Sequence, residues 1–423
     1  MKVKSVWLVG AALTAFVFAG GQASAAAHAS GTPSATAIQL DQANERIGEL
    51  NARVDALEEE LQASERRQAA DHDAMGAAAA TASGWWSNTQ ISGRMYWDVS
   101  YVDQSINHVR TGTTNGTAFD IKRFYIGIDH KFDDVFSANV TTDFTFDSAS
   151  GVNQIYIKKA YLQAKVNDAL VFKFGSTDMP WIPFMEDTYG YRFVENTLVD
   201  RLKLGNSADW GVHLSGKLYD GMLNYAFSVV NGAGYKKANI FRTNGPDFEG
   251  RVNLNIDHFT VGVGGYLGKF GQQFGAPLHH SFSRLDAMAA YITPEFRVGL
   301  EYFDGSNVSS VTSPLTPAGQ TDHEWGIGPF ASWNFLPQWS VFGRYDYSMK
   351  HLHPNSGAFS PDMPNDYYNV GINWEPVKIV DFSLVYKHEQ EHGNYATSNI
   401  GAGAAVTTKT NYDEVGIFGQ VRW

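Results

Sequence analysis

Cysteine is absent from all 423 residues, which excludes a disulfide framework and a thiolate nucleophile. Positive charge is scarce. The 32 Lys and Arg are outnumbered by 44 Asp and Glu, a net charge of −12, so the basic surface that nucleic-acid phosphates demand is lacking. No G-x-S-x-G or comparable nucleophile setting occurs, and none of the 13 histidines joins a set of three or four metal ligands in the sequence. Apart from the first residues, no run is apolar and long enough for a membrane helix.

That first run has its own signature. Lys2 and Lys4 precede an apolar stretch from Val6 to Ala19, and Ala23-Ser24-Ala25 forms an A-x-A cleavage site, so residues 1–25 read as a secretory signal peptide. Residues 26–37 are small and polar, a flexible tether. From 38 to 75, Leu40, Ile47, Val54 and Leu61 share one heptad position, with Ala43, Leu50 and Leu57 at the second, which predicts a short periplasmic coiled coil. Its oligomer number stays open, as does whether it touches peptidoglycan or aligns subunits. An Ala-rich linker, 76–88, follows.

The period then changes from helical to two. Ile91, Met95, Trp97, Val99 and Tyr101 alternate with Gln90, Ser92, Arg94, Asp98 and Ser100; Phe136, Val140 and Phe144 alternate with Asn139, Thr141 and Asp143. Sixteen such segments fit between Gln90 and Trp423, joined alternately by short turns (Asp257-His258, Leu336-Pro337) and long loops rich in Gly, Asn, Ser and Pro. The expectation for 89–423 is an all-β fold, a 16-stranded antiparallel transmembrane β-barrel, preceded by the α-helical coiled coil.

The barrel segment resembles the phosphate-selective porin family through FDIKRFYIGIDHKF (Phe119 to Phe132), IYIKKAYLQAKV (Ile155 to Val166), FKFGSTDMPWIPFMED (Phe172 to Asp187), SVVNGAG (Ser228 to Gly234) and FEGRVNLNI (Phe248 to Ile256). The resemblance implies trimeric 16-stranded channels of the Gram-negative outer membrane that pass small solutes or anions without enzymatic chemistry and without a cofactor. Two positions depart from the family pattern: Lys122-Arg123 stands where paired arginines are common, and Asp178 where a lysine is.

In such channels an inward-folded loop after the fifth strand narrows the pore, and here the connection from Ser176 to Ala208 is the longest. It carries Asp178, Glu186, Asp187, Glu195 and Asp200 against Arg192, Arg201 and Lys203, a set able to create a transverse field. Strand parity places Arg94, Arg123, Lys173, Lys217, Arg251, Arg297, Arg344 and Lys387 inward, with Asp98, Asp143, Glu249, Glu301 and Asp346 nearby. A charge facing lipid at mid-membrane costs about 2 to 4 kcal/mol, which is why these point to the lumen. Two readings of them stand side by side: a ladder that passes anions, and salt-bridged wall residues that brace the barrel.

Histidine pairs at His279-His280 and at His351 and His353 fall in expected external loops. A rim hydrolase would use His213 or His130 beside a strand serine, and an adhesin or structural barrel is the remaining alternative to a channel.

Overall fold

A computed structural model describes residues 85–112, 114–147, 152–237, 245–271, 281–307, 321–353, 362–393, 397 and 408–423, together with Arg46 and Arg53. The expected signal peptide, tether, coiled coil and most of the linker lie outside the described residues. Those described from Trp85 onward belong to one compact unit, Gly84–Trp423.

Alternation of apolar and polar residues drives each segment into a strand with one face for lipid and one for water. The long strands are β1 (Thr89–Ile106), β3 (Gly116–Lys131), β4 (Phe136–Asp147), β5 (Val152–Asn167), β6 (Leu170–Asp178), β7 (Ala208–Leu218), β8 (Leu223–Val230) and β9 (Asp247–Ile256). They continue as β10 (Phe259–Gly268), β11 (Phe282–Ile292), β12 (Phe296–Ser306), β13 (Thr321–Leu336), β14 (Trp339–His353), β15 (Met363–Val377), β16 (Val380–His392) and β17 (Lys409–Arg422). A two-residue arm, β2 (Val109–Arg110), folds back on β1. Each long strand pairs antiparallel with its sequence neighbours, and β1 also pairs with β17, Val99 lying between Phe119 and Ile417. The sheet is therefore a closed 16-stranded barrel with no free edge, the closure that satisfies every ladder hydrogen bond in lipid.

The expected segments coincide with these strands, but several run further at the long-loop end; β17 starts at Lys409, five residues before the alternation becomes apolar. Backbone pairing needs no apolar face, so hairpins continue above the hydrophobic belt. That belt covers the outside: Val99, Ile128, Val140, Leu254, Val263, Leu300, Val370 and Leu384 are all exposed. Near the short turns, Phe296 stacks on Trp333 and Trp339 on Trp374 (centroids 6.2 and 5.9 Å), an aromatic girdle of the kind that sits at a membrane interface.

The largest apolar core is not in the wall but inside it. The β6–β7 connection folds inward with two helices, α1 (Ile182–Tyr189) and α2 (Leu198–Arg201). Trp181, Ile182, Met185, Tyr189, Leu198, Val199 and Leu204 pack there against Tyr266, Phe282, Met288, Phe303 and Phe330 of the inner wall. Gly262 and Gly264 make the groove: a Cβ on Gly264 would come within 2.7 Å of the Trp181 ring, and one on Gly262 within 3.0 Å of Phe184.

Candidate functional site

The inward loop is held by side chains from far around the barrel. Glu249 of β9 accepts the Trp181 backbone N–H (2.8 Å), while Glu301 of β12 accepts the Trp181 indole N–H (3.0 Å) and the Leu198 N–H at the start of α2 (3.1 Å). Arg297 donates to the carbonyls of Asp187 (2.9 Å) and Thr188 (2.6 Å) where α1 ends. Gly190 adopts φ 83° there, a left-handed cap whose N–H bonds the Glu186 carbonyl. A Cβ at this position would also strike Arg297, at 2.6 Å.

Arg201 is fully buried. Its guanidinium meets Asp346 (2.9 Å), Glu389 (2.5 Å) and Asn365 (2.9 Å) and lies over the Tyr367 ring. Arg344 shares Asp346 at 2.9 Å and covers Tyr189. Lys387, also buried, reaches Glu195 (3.4 Å) and Glu414 (3.0 Å). Glu195 loses hydration in this setting, yet Lys387, Lys122 and Arg344 outweigh that loss and hold its carboxyl far below the usual range. Arg201, Glu195, Glu249, Glu301, Arg297, Arg344, Asp346 and Lys387 thus fasten the loop to the wall. Breaking a buried pair of this kind costs about 3 to 5 kcal/mol.

The remaining sector of the lumen, between α1 and the wall of β3–β9, stays wet. Three cavities of about 720, 540 and 250 Å3 border it. Their walls carry Arg94, Lys158, Lys159, Lys165, Lys173, Arg192, Lys217, Arg251 and Arg422, against Asp129, Asp168, Asp178, Glu186 and Asp187. Several of these charges cancel: Lys159 with Asp178 (2.5 Å), Lys165 with Asp168 (2.7 Å) and Arg192 with Glu186 (2.6 Å) and Asp200 (3.4 Å). Others do not. Among the described residues Arg94 meets the Tyr96 hydroxyl (3.2 Å), Lys158 the Tyr125 hydroxyl (3.4 Å) and the Tyr125 and Tyr235 rings, Lys173 the Tyr161 ring, and Arg251 the Phe184 ring and Asn253. Partial desolvation, then the like charges Glu186 and Asp178, push the Asp187 carboxyl above the usual aspartate range. Asp200 is raised too, by burial that Arg192 opposes and Glu186 reinforces. Lys203 is exposed at φ 57°.

Higher in the lumen, Arg123 pairs with Asp143 (2.9 Å) and bonds Tyr156 (3.3 Å), and Asp98 pairs with Lys122 (2.8 Å). Lys122 and Lys158 are the residues that parity misassigns. Each is the extra residue of a bulge: Tyr96 and Trp97 oppose Arg123 and Ile121, and Thr141 and Thr142 oppose Lys159 and Ile157. A bulge inserts one residue and breaks period two, so Lys122-Arg123 and Lys158-Lys159 both enter the lumen as consecutive cations. Sequence reasoning also omitted Glu389, Asn365, Trp181 and Arg284, which donates to the Leu204 carbonyl. The apolar run of Met179, Trp181, Ile182, Phe184 and Met185 in a connection between strands was the available signal.

One histidine pair falls elsewhere than expected. His351 lies in β14, bonded to Asp362 (2.6 Å), rather than in a loop; the His353 side chain and His279-His280 lie outside the described residues. Among the described residues no group of three or more potential ligands could hold a metal. His213 does meet a serine, Nδ1 to Ser228 Oγ at 2.7 Å, but among the described residues its Nε2 has no orienting carboxylate; His130 meets Thr89 instead.

No family model matches this chain, and no curated protein is similar enough to match. Solved structures are. The outer-membrane channel DcaP of Acinetobacter baumannii superposes with TM-score 0.56 at 11% identity, over 79% of this chain and 97% of its own. An anion-selective porin from Comamonas acidovorans gives 0.54 at 11%, over 79% and 99%. OmpF of Salmonella typhi, in complex with daunomycin, gives 0.56 at 14%, over 78% and 97%. The fold is the porin fold. Identities this low carry the architecture alone.

Proposed function

We propose that this chain is an outer-membrane porin that lets small hydrophilic solutes diffuse passively, with a preference for anions, inorganic phosphate among them. The observation that carries the preference is charge placement. The chain as a whole is strongly acidic, at −12, yet in the wet sector Arg94, Lys158, Lys173, Lys217 and Arg251 carry no ion pair among the described residues. Unneutralised cations with restricted hydration raise the local concentration of anions and lower their barrier to entry. The loop from Ser176 to Ala208 is the constriction, and passage needs no chemistry from the protein.

The porin fold of its structural neighbours supports a Gram-negative outer-membrane location and a homotrimeric assembly surrounded by lipid; the A-x-A site at Ala23-Ser24-Ala25 supports removal of a signal peptide on the way there. The coiled coil at 38–75 acts on the periplasmic side, on peptidoglycan or in aligning subunits.

Planar-bilayer recording of the refolded mature protein in a KCl gradient tests the reading. The expected result is conductance steps in multiples of three, a reversal potential displaced towards chloride, and current block on adding phosphate. Cation selectivity would overturn the anion preference, and absence of conductance would overturn the channel itself in favour of an adhesin or structural barrel.

A further inference from the structure

Four tyrosines on one side of the lumen each carry a lysine over the ring. Lys173 covers Tyr161, its nitrogen 4.6 Å from the ring centre, and Lys158 covers Tyr125 (4.8 Å) and reaches Tyr235 (5.8 Å). Lys236 covers Tyr156 (4.9 Å), which stacks on Tyr235 with centroids 5.8 Å apart. Tyr125 stands on β3, Tyr156, Lys158 and Tyr161 on β5, whereas Tyr235 and Lys236 belong to the connection from β8 to β9. That connection is fastened in place: the Trp210 indole N–H donates to the Tyr235 carbonyl (3.2 Å), and Asp209 accepts the Gly234 N–H (3.1 Å).

Lys158 is the unusual member. It is 8% exposed, borders the 540 Å3 cavity and forms no ion pair among the described residues. A buried charge is costly unless it is paired, and two ring faces with one long bond to the Tyr125 hydroxyl (3.4 Å) replace only part of its lost hydration. The carboxylates around it are engaged elsewhere, Asp143 by Arg123, and Glu186 and Asp200 by Arg192. A carboxylate that completes Lys158 must therefore arrive on a solute. The rings decide which solute. A small hydrated anion sheds water against faces that give it nothing in return, while an acid that carries its own ring lays that ring on tyrosine as its carboxylate meets the ammonium.

We propose that Tyr125, Tyr235 and Lys158 form a binding site for aromatic monocarboxylates, solutes of the benzoate type, which hold to it on their way through the lumen. This rests on the channel reading and names a solute class for it.

The test is planar-bilayer recording of the refolded mature protein in KCl, with benzoate, cyclohexanecarboxylate or acetate added to block the chloride current. Benzoate should block wild type at a concentration several-fold lower than acetate, and lower than cyclohexanecarboxylate, which has the same charge and similar bulk but no aromatic face. Tyr235→Leu should bring benzoate level with cyclohexanecarboxylate, and Lys158→Gln should weaken block by all three acids, benzoate most. Wild-type channels that conduct chloride but are blocked no better by benzoate than by acetate or cyclohexanecarboxylate would overturn this proposal alone, as would a benzoate advantage that survives both substitutions. Absence of any conductance in wild type would overturn the channel reading on which it rests.

Discussion

A single inserted residue sets the charge of this lumen twice. In a regular strand Lys122 and Lys158 would face lipid, at a cost of about 2 to 4 kcal/mol each near mid-membrane; the bulges turn them inward beside Arg123 and Lys159. The two lysines of the second pair differ in circumstance. Among the described residues the Lys158 ammonium meets tyrosines, whereas Lys159 neutralises Asp178. Lys158→Gln is therefore expected to reduce chloride preference by removing one cation. Lys159→Gln should shift it towards cations by more, because it removes a cation and uncovers a carboxylate. Reversal potentials of the two variants in a KCl gradient check the order, and an equal or inverted effect would refute it. Arg201 belongs to a different category. The sequence groups it with the constriction charges, but zero exposure and three buried partners make it an anchor. Arg201→Met should change conductance through loop displacement, seen as current noise, rather than by altering selectivity directly.

At the scale of an element, the inward loop behaves as a small domain docked on a groove. Trp181 is its principal anchor, wholly buried, over Gly264 and between Glu249 and Glu301. Truncating a buried Trp costs about 3 to 5 kcal/mol. That cost falls on loop docking, since the barrel ladders do not pass through Trp181. Trp181→Ala should leave strand content by circular dichroism unchanged while increasing protease cleavage between 179 and 207. Acid acts on the same loop in two stages. Asp187 and Asp200 have raised pKa values, so ionising them disfavours the docked state; as pH falls through their raised pKa values, docking is strengthened and loss of the Asp187 charge increases anion selectivity. Glu195 is depressed, so its contribution is complete above the usual carboxylate range of about 4.3 and disappears only in stronger acid. Recordings from pH 7 downwards should show a growing chloride preference with quiet current before noise appears below the ordinary carboxylate range. Noise that begins near pH 6 would contradict this assignment.

For the whole molecule, the outer surface and the ends matter more than the lumen. The exposed apolar belt and the aromatic pairs near the short turns fit a lipid boundary, and β1 joining β17 leaves no edge for aggregation. Closure is complete within Thr89–Arg422, so the barrel does not depend on residues 38–75 for any strand. Deleting 38–75 should preserve membrane insertion and conductance, read by bilayer recording, and loosen the association of subunits on unheated gels. Failure of the truncated chain to fold would contradict the division at the linker.

What the sequence by itself determined is everything that follows from period and composition. Alternation from Gln90 onward marked all sixteen strands, the short and long connections marked the two ends, and the length of 176–208 singled out the loop that the family resemblance implies should fold inward. These are local properties, readable because side-chain direction repeats every two residues and loops need turn residues. The tertiary structure alone decided which charges remain free. Arg201 finds Asp346 at a separation of 145 positions, and Trp181 finds Glu301 at 120, pairings that no local pattern encodes. Pairing was decided in the same way, residue by residue: Arg344, Lys387 and Arg297 bond partners on the wall or the loop, while Arg94, Lys173 and Arg251 have no ion pair among the described residues. Closure of the sheet brings strands remote in sequence to within one ion-pair length of a common loop, and whether a charge works on a solute or on the protein depends on which of them arrives beside it.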